Sequence, residues 1–94
     1  MCTQAQMAKA KVTVANKLGL HARPAMAFVD TASGFDCDVR VSKGIQSVDG
    51  KSIMQMMMLA ATQGTQLQIE TAGQDAQEAI KTLTALVERR FDED

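Results

Sequence analysis

Four short runs of this chain alternate apolar and polar residues, and turns or stretches of helical spacing divide them. This change of period constrains the fold more than any other feature. Residues 11–16 read K-V-T-V-A-N, with Val12 and Val14 on one face. Residues 36–42 put Cys37, Val39 and Val41 on one side, and residues 45–48 return as a hairpin partner across the Lys43-Gly44 turn. Residues 65–71 alternate through Leu67 and Ile69. Each run has one polar face, which predicts an antiparallel sheet with one side bare.

Between these runs the spacing becomes helical. Ala25, Met26, Val29 and Ala32 recur on one stripe of residues 22–33, and Ser33-Gly34 stops that helix. Ser52-Ile53-Met54-Gln55 follows the S-x-x-Q capping-box pattern and heads a helix expected to reach about residue 61. Asp75 opens a long amphipathic helix with Ala76, Ala79, Ile80, Leu83, Leu86 and Val87 on its apolar face. The order β-α-β-β-α-β-α predicts an α+β two-layer, open-faced sandwich, with three helices on one face of the sheet. A single domain is expected over residues 1–94, with residues 1–10 flexible and the acidic end Phe91-Asp92-Glu93-Asp94 frayed.

Composition narrows the function. A net charge of −1, no Trp or Tyr and only three Phe argue against nucleic-acid binding, which wants basic patches and stacking platforms. Cys2 and Cys37 lie far apart and suggest neither a disulfide nor a metal site. The N-terminus has no apolar run of the secretory kind, and no stretch reaches the length of a membrane span. A cytoplasmic protein is expected, without direct membrane insertion.

Gly19-Leu20-His21-Ala22-Arg23-Pro24-Ala25 carries the chemistry. Proline is tolerated in the first turn of a helix, where its missing N–H costs nothing. His21 then falls at or beside the N-cap, with the backbone N–H groups of Ala22, Arg23 and Ala25 expected to point outward around it as an anion site. A phosphorylated imidazole would carry its dianion where the helix dipole favours negative charge. The forked donors of Arg23 could reach that group. A histidine at a helix start is by itself more often a cap or a surface residue, so spacing alone names no reaction.

The segment N-K-L-G-L-H-A-R-P-A, residues 16–25, resembles the active-site signature of HPr, the histidine-containing phosphocarrier of the bacterial phosphotransferase system. K-S-I-M, residues 51–54, resembles the family's second motif, and the element order agrees over nearly the whole chain. The resemblance implies that His21 accepts a phosphoryl group on Nδ1 from enzyme I, with phosphoenolpyruvate as ultimate donor. His21 then donates to IIA components of sugar permeases, and Arg23 stabilises the phosphoryl group. It also implies a carrier rather than an enzyme, with no cofactor and no metal, expected to act as a monomer. Leu18 stands where many members have a small polar residue, and Asp30 and Ser33 stand where some have lysines. The acidic end resembles the nitrogen-related branch, so the sugar and nitrogen-related branches both remain open.

Two further expectations follow from the resemblance. In Gram-positive and some other bacteria the serine matching Ser52 is phosphorylated by an HPr kinase/phosphorylase, although a cap role already explains a serine there. Ile53, Met54 and Met57 share one helical face and match the family's exposed docking patch, where flexible methionines suit several partners. A regulatory adaptor that binds a transcriptional regulator through the same surface is the weaker alternative, because family adaptors of that kind lack the histidine. An independent small enzyme lacks a second convergent acid–base group.

Overall fold

The computed structural model describes residues 6–92. Strand β1 (Met7–Thr13) leads to helix α1 (Ala22–Ser33), and β2 (Asp38–Lys43) and β3 (Gln46–Asp49) form a hairpin. Helix α2 (Ile53–Met58), strand β4 (Gln66–Ala72) and helix α3 (Ala76–Glu88) follow, and the chain closes on a 3-10 turn, Arg90–Asp92. The strands lie in the order β1-β4-β2-β3, every pair antiparallel. This is the expected α+β two-layer sandwich.

Register explains the two faces. Ala10 stands opposite Ile69, Ile69 opposite Val41, and Val41 opposite Val48, so one row crosses all four strands. That row faces the helices, where Phe28 and Ala32 of α1, Met56 of α2, and Ile80, Leu83 and Val87 of α3 join it in the core. The neighbouring row, Lys9, Glu70, Arg40 and Asp49, lies on the bare face with charges alternating in sign. Lys9 Nζ lies 3.4 Å from Glu70 Oε2. An exposed pair of this kind contributes at most about 1 kcal/mol. The row fixes register instead, because a slip of one residue would turn these charges into the core.

The structure departs from the sequence expectations at several places. Strand β1 begins at Met7, so residues 7–10 are paired with β4 rather than flexible, and residues 1–5 lie outside the described residues. Ala8 and Ala10 carry the buried side of this segment, and alanine gives little strand signal of its own. Phe91 is buried in the core rather than frayed, and Arg89 Nε binds Asp92 Oδ1 at 2.9 Å across the turn, whereas Glu93 and Asp94 lie outside the described residues.

Helix α2 stops at Met58, short of residue 61, because Ala60 adopts a left-handed φ of 50° and turns the chain away. The capping box is only half made. Ser52 Oγ accepts the Gln55 N–H at 3.2 Å, but Gln55 Oε1 accepts from Asp49 at 2.9 Å, since the Ser52 N–H already donates to the Asp49 carbonyl. Asp75 opens α3 as its N-cap, as expected, although its side chain makes no capping bond because its Oδ2 accepts the Asp36 N–H at 3.0 Å.

Candidate functional site

Asn16 is wholly buried, and its Nδ2 donates to the Gly19 carbonyl at 2.7 Å while the Gly19 N–H donates to the Asn16 carbonyl at 3.2 Å. Those two bonds close residues 16–19 into a tight loop. Gly19 has a φ of 68°, and a Cβ there would strike the Ala61 carbonyl oxygen and come within 2.8 Å of Thr62 Cα. Only glycine fits such a position. The Leu20 N–H then donates to the Ala61 carbonyl at 2.8 Å, so the loop is pinned to the segment leaving α2.

That pinning delivers His21 to the start of α1. His21 is the N-cap, with extended backbone at φ −88° and ψ −167°, and its half-buried ring makes no capping bond to its own helix. Its carbonyl accepts the Ala25 N–H at 3.0 Å. Ala25 therefore does not serve the anion site, because its amide is already the donor of the first helical bond. Pro24 is the third helical residue and has no N–H. The outward amides are those of Ala22 and Arg23, for which no acceptor lies within reach among the described residues.

Arg23 is exposed and makes no ion pair among the described residues. Leu18, His21, Ala22, Arg23 and Met26 line an open concavity at the helix start. His21 and Arg23 thus share one concavity at the positive end of the α1 dipole, a setting that favours an anionic group. Among the described residues, no group of three or more His, Cys, Asp or Glu side chains is placed to hold a metal ion.

The methionine-rich helix α2 presents both buried and exposed side chains. Met56 is wholly buried while Met54 is 75% exposed at the opposite crest. Ile53 and Met57, 38% and 44% exposed, occupy one flank at helical spacing. Met58 lies on the other flank, where its carbonyl accepts from Gln46 Nε2 at 3.3 Å near the β2–β3 hairpin. Helix α2 packs on α1, and half-buried Ser52 begins it.

Sequence reasoning places Met26 on the buried stripe of α1, yet Met26 is 49% exposed and borders His21. It sits at the edge of a stripe whose centre is Ala25, Val29 and Ala32, and a turn of helix cannot bury both sides. Leu18 and Asn16 also belong to the site, the first as exposed wall and the second as buried support. The Asn-x-x-Gly spacing is the signal for Asn16, since a short amide side chain bonds nearby backbone in such loops.

A sequence model of the family described as "PTS HPr component phosphorylation site" matches residues 8–89. The chain belongs to the HPr family. It is 51% identical over 84 residues to the phosphocarrier protein HPr of Pseudomonas aeruginosa, covering 88% of this chain and 93% of that relative. It is 38% identical over 88 residues to the phosphocarrier protein NPr of Escherichia coli, covering 92% of this chain and 97% of that relative. The crystal structure of HPr-C-His from Thermoanaerobacter tengcongensis superimposes with a TM-score of 0.89 at 42% identity, covering 93% of this chain and 98% of the other. This HPr-type chain is a phosphocarrier of the phosphotransferase system and not a catalytic enzyme. Among the described residues, no helix is long and apolar enough to cross a membrane.

Proposed function

We propose that His21 accepts a phosphoryl group from enzyme I and passes it to IIA components of sugar permeases. The observation that carries this reading is the placement of His21 as N-cap of α1 beside the Ala22 and Arg23 amides, which have no acceptor among the described residues. The lone pair of Nδ1 attacks phosphorus, the new N–P bond forms, and the bond to the donor's leaving atom breaks with its electron pair staying on the donor. The two amides and the Arg23 guanidinium hold the phosphoryl oxygens, so charge developing in transfer meets donors already in place. Onward transfer is the same step reversed toward the acceptor.

Ile53, Met54 and Met57 form the docking surface for donor and acceptor in this reading, with Met26 and Leu18 continuing it across the concavity. Ser52 is the regulatory phosphosite, served by a kinase/phosphorylase, and the modified surface can address a transcriptional regulator. The greater identity to the HPr relative than to the NPr relative, 51% against 38%, favours the sugar branch over the nitrogen-related one.

The test is incubation with phosphoenolpyruvate and enzyme I of each branch. One acid-labile, base-stable phosphate is expected on the wild type and none on His21→Ala. A label that persists in His21→Ala would refute the assignment, and faster labelling by the nitrogen-branch enzyme would reassign the branch.

A further inference from the structure

Met26 lines the concavity at His21, and Met54 and Met57 are exposed on α2, which packs against α1, whereas Met56 on the same short helix is sealed in the core. A thioether packs as a flexible apolar group, yet its sulfur keeps a lone pair that hydroperoxides attack once it is exposed. We propose that these three exposed side chains form an oxidation-sensitive docking surface. Hydrogen peroxide converts Met26, Met54 and Met57 to sulfoxides and so blocks phosphoryl exchange, and methionine sulfoxide reductase restores it. The inference rests on the docking role proposed above for this patch.

The step balances as a two-electron oxygen transfer. The sulfur lone pair attacks one peroxide oxygen, the S–O bond forms and the O–O bond breaks. The departing oxygen leaves as water after proton transfer, so sulfide is oxidised while peroxide is reduced.

Position makes this chemistry consequential. Each sulfoxide sets a strong acceptor oxygen into a surface that is otherwise apolar, and a docked partner would bury that oxygen without a donor. At Met26 a donor is at hand, because Arg23 lines the same concavity. A sulfoxide there takes guanidinium hydrogen bonds that the phosphoryl group needs. None of the three side chains belongs to the buried core, so oxidation spares the fold. Met7 is more exposed than Met26 but shares the parity of Lys9 in β1, on the bare face of the sheet away from the helices, which makes it an internal control.

The full chain is treated with hydrogen peroxide and then with dithiothreitol, which reverses reversible cysteine products but leaves sulfoxides. Peptide mass mapping is followed by the initial rate of phosphoryl acceptance from enzyme I. Met26, Met54 and Met57 should each gain one oxygen while Met56 does not, and the rate should fall about tenfold with circular dichroism unchanged. Added sulfoxide reductases should restore it. The control variant Met7→Leu should remain as sensitive as the wild type.

An unchanged rate with all three sulfoxides verified would overturn the inference. So would failure of the reductases to restore transfer, loss of sensitivity in the Met7→Leu control, or unfolding on oxidation. Met54→Glu separates this outcome from failure of the docking reading. If untreated Met54→Glu exchanges phosphate normally, docking itself is wrong. If it is impaired while peroxide has no effect on the wild type, only the oxidation inference falls.

Discussion

The Leu20 N–H donates to the Ala61 carbonyl at 2.8 Å, which ties the residue before His21 to the turn that ends the methionine-rich helix. The two segments are 41 positions apart in sequence. This one bond ties the histidine loop to the segment leaving α2, and it forms only because Gly19 lets the backbones approach.

Gly19→Ala should therefore damage both stability and function. A left-handed alanine costs about 1–2 kcal/mol, and the clash with Ala61 and Thr62 adds to it because backbone on both sides must move. A total near 2 kcal/mol lowers Tm by on the order of 10 °C in a domain of this size. Calorimetry and the rate of phosphoryl acceptance check this together. A Tm equal to wild type would show that the loop relaxes freely.

Arg23→Ala should still be phosphorylated, because the nucleophile and the two backbone amides remain. Loss of a charged hydrogen bond is worth about 1.5–3 kcal/mol. Phosphoryl transfer to and from the protein should slow about ten- to a hundredfold. Rapid-quench measurement in both directions is the check, and wild-type rates would remove Arg23 from the mechanism.

How much of this was legible in the sequence depends on where each interaction closes. Val39, Val41, Leu67 and Ile69 announce their strands because branched side chains at period two say the same thing locally and globally. Pro24 announces the start of α1, since proline has few other places in a helix. The Ala8 and Ala10 part of β1 is silent, because pairing with β4 rather than propensity makes it a strand. Asp75 stands where a cap belongs, but a partner 39 positions away wins its carboxylate. The assignment of Ala25 to the anion site fails for a local reason, since the fourth amide of a helix that starts at Ala22 already has the N-cap carbonyl.

Asp75 yields a pH prediction. The Asp36 N–H holds the Asp75 carboxyl below the ordinary carboxylate value, with the Cys37 thiol adding to it, while burial and the Asp75 contact push that thiol up. The unfolded chain binds the proton more tightly than the native one. This contribution is therefore present above the ordinary carboxylate value and is lost as pH falls through the lower native value. Asp75→Asn keeps an acceptor oxygen for Asp36 but removes the titration. Its Tm should fall less than that of wild type between neutral and strongly acidic pH, with the Arg89–Asp92 pair supplying part of the remaining slope. Identical acid slopes in the two proteins would show that Asp75 carries no linkage.

Phosphorylation of Ser52 should switch off docking without unfolding the protein. The phosphate adds about −1.5 to −2 charges at the start of α2, where the Gln55 amide already donates to Ser52 Oγ and the dipole accepts negative charge. The helix should hold. The new dianion, however, stands next to Ile53 and Met54 on the exposed face, and covering it with an apolar partner leaves it desolvated and unpaired. Ser52→Asp is the accessible mimic and carries a single charge, so the phosphorylated protein should show the larger effect. The measurement is the rate of His21 phosphorylation by enzyme I for wild type, Ser52→Asp and Ser52-phosphorylated protein, with Tm as the control. A graded fall in rate at constant Tm is expected. An unchanged rate for the phosphorylated protein would leave Ser52 as a helix cap alone, and a fall that tracks Tm would assign the effect to the fold.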